Sequence, residues 1–193
     1  MTRLSLSLCL GLVVQAGSWS QAALPPAGAG RMIQQLQSKS WIEQAEALYY
    51  LGEHRVEMAR SPVRSLLEAQ GVHPWTRGQA LLSLSHIEGK VDPGEFGTWV
   101  AHEHAAVRSA AAEVLESYGG NSATTWIGIL LKDPDLTVRC HAAAAHAKRR
   151  TEAAWAVVAP LTTDPPVSAV RALARALTFT GTADALARLG TQI

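Results

Sequence analysis

The chain has 193 residues, of which 48% are apolar, 17% charged and only 6% aromatic, enough for one domain with a hydrophobic core. Its 17 basic and 16 acidic side chains nearly cancel, which argues against the basic footprint of a nucleic-acid binder. Much of the apolar share is Ala, which buries little area but lets helices approach closely.

The first residues read as a targeting segment. Arg3 supplies a short positive region, residues 4–16 (LSLSLCLGLVVQA) form an apolar stretch, and Ser20 and Ala22 suit the −3 and −1 positions of a cleavage site. Residues 1–22 are therefore expected to be a secretory signal peptide, too short for a spanning helix. A lipoprotein would need a Cys just past the apolar stretch, whereas Cys9 lies within it. Cleavage after Ala22 would leave Cys140 as a lone thiol, so the fold must stand on packing even in an oxidising compartment. It would also leave 16 basic and 16 acidic residues.

Residues 23–30 (ALPPAGAG) read as a mobile Pro/Gly-rich linker, and 31–193 as the folded domain. A short helix is expected over 31–38. Ser40-Trp41-Ile42-Glu43 is a capping box opening a helix that Gly52 ends. Ser61-Pro62 starts the next, because Pro at the first helical position loses no hydrogen bond, and Gly71 stops it. His73-Pro74 opens a helix with Ala80, Leu84 and Ile87 on one face and Gly89 as terminator. Asp92-Pro93-Gly94-Glu95 caps a short helix carrying Phe96, Trp99 and Val100.

A helix over 104–118 ends at Gly119-Gly120. Trp126, Ile127, Leu130 and Leu131 stripe the one after it, and Asp133-Pro134 separates that from an Ala-rich helix over 135–149. Thr151 caps a helix striped by Ala154, Val157, Val158 and Leu161. Asp164-Pro165-Pro166 breaks before a helix over 167–179, and residues 183–189 could add a final capping turn. No stretch alternates as a strand between hairpin turns.

One pattern recurs along these helices. An Arg behind a small or β-branched residue is followed three positions later by Ala, and usually seven later by a large apolar residue. It occurs at Arg77, Arg108, Arg139 and Arg171, at steps of 31, 31 and 32, with a degenerate copy around Gln44. A fixed period near 31 marks stacked supersecondary units. The chain is expected to be an all-α solenoid of about five stacked antiparallel helix pairs and an end cap.

An Asp-Pro turn, then Val-Arg, then Ala and Leu on one face, resembles the HEAT repeat family. The 31-residue period is similar to the short bacterial HEAT-like repeats also found in phycobilin lyases. The resemblance spans about 40–180 and is strongest at 133–149 and 164–180. It implies a ladder between neighbouring repeats, built from the turn Asp and the helix Arg. Asp133 and Arg139 match both positions, and Asp164 and Arg171 match with one extra residue between them. The copies at Arg77 and Arg108 have Gly71 and His102 in the Asp slot, so an incomplete ladder is expected there. Tetratricopeptide repeats are the rival, but their period is about 34.

Enzyme chemistry finds little footing. His141 and His146 are five apart on a helix and point to different faces, and Cys140 and His141 are neighbours about 100° apart. No HExxH, CxxC or GxSxG occurs. Neither a metal, a cofactor nor a catalytic residue is assigned.

A partner surface is read from the helical wheel. Positions −1, +3, +6, +7 and +10 from each Arg form the core face, and +1, +5 and +8 lie opposite. That second face carries Gly78, Leu82 and Ser85, then Ser109, Glu113 and Glu116, then Cys140, Ala144 and Ala147, then Ala172, Ala176 and Phe179. In HEAT-like stacks this face lines the concave side. Leu82, Glu113, Glu116, Ala144, Ala147 and Phe179 are therefore expected to contact a partner, with Arg175 beside them. Cys140 on the same face is expected to be a reactive thiol. Trp41 and Trp75, at equivalent helix starts, form an alternative rim site, while Trp126 and Trp155 read as core.

The expected function is an exported, periplasmic or secreted scaffold that binds a protein or peptide without catalysis. The alternative is an accessory, lyase-like factor that assists modification of a partner or handles a prosthetic group. A nucleic-acid role is disfavoured by export and charge, and the mature chain has no membrane span. Oligomeric state is not legible.

Overall fold

The computed structural model describes residues 26–89, 93–118, 121–149 and 156–180. These residues form helices without a single strand. In order they are α1 (Ala29–Gln35), α2 (Trp41–Glu53), a 3-10 turn (Glu57–Ala59), α3 (Arg60–Glu68), α4 (Pro74–Glu88), α5 (Pro93–Val100), α6 (Ala105–Ser117), α7 (Asn121–Leu130), α8 (Leu136–Arg149), a 3-10 turn (Ala159–Thr162) and α9 (Val167–Thr180). The second helix of each pair packs on the second helix of the next, giving a continuous inner layer α2–α4–α6–α8–α9, while α1, α3, α5 and α7 lie outside it. This is the α-solenoid expected from the period. The targeting segment, the Asp92 and Thr151 caps, Gly119-Gly120, Trp155 and the 183–189 turn lie outside the described residues.

Local chemistry explains most helix ends. Ser40 caps α2 by accepting the Glu43 N–H, but the Glu43 carboxylate meets the Ser38 hydroxyl rather than reaching back to the Ser40 N–H. That N–H donates instead to the Ser38 hydroxyl oxygen at 3.0 Å. The His73 ring nitrogen Nδ1 accepts the Trp75 N–H and caps α4, and Gly89, at φ +63°, ends it. Two expectations fail for packing reasons. Gly52 does not end α2; it lies in the last turn, where a Cβ would stand 2.8 Å from Ser83 Cα of α4. The linker joins the fold from Pro26 onward, since the Ala29 N–H bonds to the Pro26 carbonyl and the Tyr50 hydroxyl donates to the Ala27 carbonyl at 2.8 Å.

Close approach is the rule of the inner layer. At Gly78 a Cβ would meet the Ala106 carbonyl oxygen at 2.9 Å, so α4 and α6 touch almost backbone to backbone. The stripe positions are buried as expected: Thr76, Ala80, Ser83, Leu84 and Ile87 on α4, and Val107, Ala111, Val114 and Leu115 on α6. The buried hydroxyls are satisfied across the layer, Ser83 donating to the Leu48 carbonyl and Thr76 to the Trp41 carbonyl. Helix α8 carries two apolar faces: Val138, Ala142 and Ala145 join the core of the preceding repeats, while Cys140, Ala143, Ala144 and Ala147 pack on α9.

The Arg series forms one rung of the expected ladder between neighbouring repeats, at Arg108 and Asp133, and departs from it elsewhere. Arg108 forms a bidentate pair with Asp133 of the next repeat, Nε to Oδ2 at 2.7 Å and Nη2 to Oδ1 at 2.9 Å. It also donates to the His102 and Glu103 carbonyls of its own loop, at 2.8 Å each. Arg139 donates to the Asp133 and Pro134 carbonyls at 2.6 and 3.0 Å rather than to the Asp133 carboxylate. Arg77 donates to the Ala69 carbonyl at 2.6 Å and lies 3.3 Å from His102 Nε2. Each of these Arg side chains reaches back to its own loop, and Arg77 and Arg108 also reach forward into the Asp slot of the following repeat.

Arg171 breaks the series. Ala169 fills the buried place that Val107 and Val138 hold, and Leu173, Ala176 and Leu177 follow it, so Val170 takes the Arg slot. The extra residue behind Asp164 turns Arg171 by about 100° and leaves its side chain 80% exposed. Asp164 is itself exposed in the loop, at φ +54°.

Candidate functional site

A groove of about 660 Å³ runs along the inner layer, lined by residues of α2, α4, α6, α8 and α9. At one end Tyr49 and Trp75 expose most or half of their surface beside Leu82. The floor is made of Gly78, Ala105, Ala106 and Ser109, small residues that the close α4–α6 approach demands. The other end is polar, with Thr137 and His141 from α8 and Ser168, Arg171 and Arg175 from α9. The Thr137 and Ser168 hydroxyls bond across this end at 3.1 Å.

Glu113 sits at the centre of a charged cluster. Its carboxylate lies 3.3 Å from Arg175 Nη2, 3.9 Å from Arg171 Nη2 and 3.8 Å from His141 Nδ1. Arg175 Nε also donates to Glu116 Oε2 at 3.2 Å. Arg175 thus spans from α9 to α6. The Glu113–Arg175 pair divides the concave face into the main groove and a pit of about 190 Å³ that also touches Leu82, His86 and Glu116. Burial lowers the pKa of His141 below the ordinary imidazole value; Glu113 opposes this, and Arg175 and Arg171 add to it.

Of the residues expected to meet a partner, Leu82, Glu113, Arg175 and Trp75 line the main groove together, and Glu116 lines the adjoining pit. Ala144 and Ala147 do not present a surface: both are fully buried against α9. Phe179 is half-buried against the same cluster, with Lys148 Nζ 6.0 Å from its ring centre. Trp41 is 42% exposed and stacks on His73 at 4.7 Å, outside the groove. Cys140 is also fully buried, and burial pushes its thiol up to about 11, so it is not the accessible thiol, open to modification in the native protein, expected from the wheel.

Sequence reasoning missed Tyr49, Thr137, His141 and Arg171 as groove residues. Trp75, Gln79, Leu82 and His86 stand at −2, +2, +5 and +9 from Arg77, and Thr137 and His141 at −2 and +2 from Arg139. The accessible strip is therefore narrower than the face opposite the core and rotated from it, since an inner helix has neighbours on both sides. Among the described residues, no group of three or more His, Cys, Asp or Glu could hold a metal ion, and no helix is long and apolar enough to cross a membrane.

Comparison with known sequences agrees with this geometry. No curated protein matches the chain. Residues 97–178 match the family model described as HEAT repeats; the match is to the repeat itself and not to phycobilin lyases in particular. That match falls on α5 to α9, which are HEAT repeats, and the helix pairs before them stack in the same way.

Proposed function

We propose that this chain is an exported, non-catalytic scaffold that binds a protein or peptide partner in the groove along its inner helices. HEAT repeats commonly act as protein-interaction scaffolds. The observation that carries the reading is the groove itself, whose aromatic and small apolar residues adjoin a cluster of fixed charges. Anchoring aromatics with polar groups at their margin are what peptide and protein interfaces use. Export to the periplasm or the medium rests on the apolar stretch at 4–16 and the small residues Ser20 and Ala22.

Photo-crosslinking in the native compartment tests the reading. A benzophenone side chain at Ser109, on the groove floor, is expected to capture one defined protein. The same group at Met58, 57% exposed and outside the groove, is expected to capture none of it. Equal capture at both positions, or none at Ser109, rejects the groove as the binding surface.

A further inference from the structure

His102 stands where the next repeat puts an acid. It lies one repeat period before Asp133, as Arg77 lies one period before Arg108, and the two junctions are built alike. Asp133 accepts the N–H of Asp135, two residues on, at 2.9 Å. It also holds Arg108 of the repeat before, through Nε at 2.7 Å and Nη2 at 2.9 Å. His102 Nδ1 likewise accepts the N–H of His104, two residues on, at 3.1 Å, and its Nε2 lies 3.3 Å from Nη1 of Arg77 in the repeat before.

The two side chains are not equivalent as acceptors. A carboxylate takes both arms of a guanidinium, whereas a neutral imidazole has one donor nitrogen and one acceptor nitrogen. With Nδ1 accepting the His104 N–H, the ring proton sits on Nε2 and points at Arg77, itself a donor. The other tautomer turns that proton against the His104 N–H instead. Either way one of the two contacts is not a hydrogen bond. The leftover donor is Arg77 Nε, which is buried without a hydrogen-bond partner, whereas the same atom of Arg108 bonds Asp133 Oδ2. A protonated ring has no acceptor left and sets a full positive charge beside Arg77.

We propose that His102 makes the junction between α4 and α6 an acid-sensitive hinge: the neutral ring keeps the two inner helices packed, and the protonated ring releases them. The charged groups that bear on the ring are Arg77 from α4, Arg108 from α6, and Glu103 and His104 from its own loop. Of these, only Glu103 favours the charged form, and its side chain is 80% exposed and 3.5 Å from His104 Nε2. Burial first, and Arg77 second, hold the His102 pKa below the ordinary imidazole value. The stability that the neutral ring gives the junction is thus complete above about pH 6.5 and is lost as pH falls through the folded value.

The hinge adjoins the groove. The His102 loop runs directly into Ala105 and Ala106, which form the groove floor with Gly78. A Cβ on Gly78 would stand 2.9 Å from the Ala106 carbonyl oxygen, so the helices have no slack at this contact and any separation alters the floor. The inference concerns the shape of the groove and holds whatever the groove binds.

Hydrogen–deuterium exchange of the full chain, corrected for intrinsic rates and compared at about pH 7.4 and about pH 5.5, tests the hinge. Peptides within 74–88 are expected to exchange at least about tenfold faster in acid. His102→Asp, which restores the carboxylate, should abolish that acceleration, and His102→Gln, which carries no charge at either pH, should abolish it too. His141→Gln should leave it in place. No acceleration in the wild-type chain overturns the proposal, as does acceleration that survives in either His102 variant or disappears in His141→Gln. An Asp variant that fails to fold overturns the equivalence of the two junctions, and the Gln variant then decides whether His102 is the titrating group.

Discussion

Asp133 shows how much one side chain carries between repeats. Only 6% of it is exposed, yet its carboxylate satisfies both arms of Arg108 and the Asp135 N–H. Burial alone would raise its pKa; the Arg108 hydrogen bonds, the Asp135 N–H and the charges of Arg108 and Arg139 together hold it below the ordinary carboxylate value. Removing one partner of so buried a pair strands the other, so Asp133→Ala is expected to cost about 3 kcal/mol in urea unfolding.

The pH dependence follows from the same shifts. A carboxylate with a depressed folded pKa contributes stability above its unfolded value, near 3.8, and loses it as pH falls through the folded value. His141, depressed first by burial, and His102, depressed by burial and by Arg77, resist protonation in the folded state. Their contribution is full above about pH 6.5 and declines below it. The urea midpoint should thus fall already between pH 7 and pH 5, and His141→Gln should flatten that slope. A midpoint that rises on acidification over this interval contradicts the assignment. A ladder between neighbouring repeats was expected, but the Arg108 rung was not, because His102 fills the Asp slot of its own repeat, whereas the carboxylate that meets Arg108 comes from the repeat after.

At the scale of a helix, the core stripe was legible and the opposite face was not. The −1, +3, +6 and +7 positions of α4 and α6 are all buried, because periodicity reports directly which side of a helix avoids water. A wheel assumes one partner, however, and each inner helix has a flanking helix on either side. In α8 the Ala run then became core twice over, against α6 and against α9. Arg171 was misplaced for a related reason: the extra residue behind Asp164 was visible, but its consequence is a rotation that only packing fixes. Cys140 gives a direct check on this geometry. With the thiol fully buried and raised to about 11, a maleimide at neutral pH should leave it unmodified in the native protein and label it fully in denaturant. Rapid native labelling would mean that α8 and α9 do not pack as described.

Across the whole molecule, repeat period and charge balance told the architecture but not the recognition chemistry. The period sets how helices stack, and nothing in it specifies that Arg175 would meet Glu113 and Glu116, or that His141 would join them. Those groups come from sequence positions 59 residues apart in the Arg175–Glu116 case, and only the packing of α6, α8 and α9 on one another brings them to one face. The central claim is that a partner occupies the groove between Trp75 and Arg175. It is tested most directly by calorimetry with the protein captured from Ser109, comparing the wild-type chain with Ala106→Arg, which fills the groove floor, and Trp75→Ala, which removes its aromatic wall. Each is expected to weaken binding at least tenfold, about 1.4 kcal/mol, with the helical spectrum retained. Wild-type affinity in both folded variants would contradict the account.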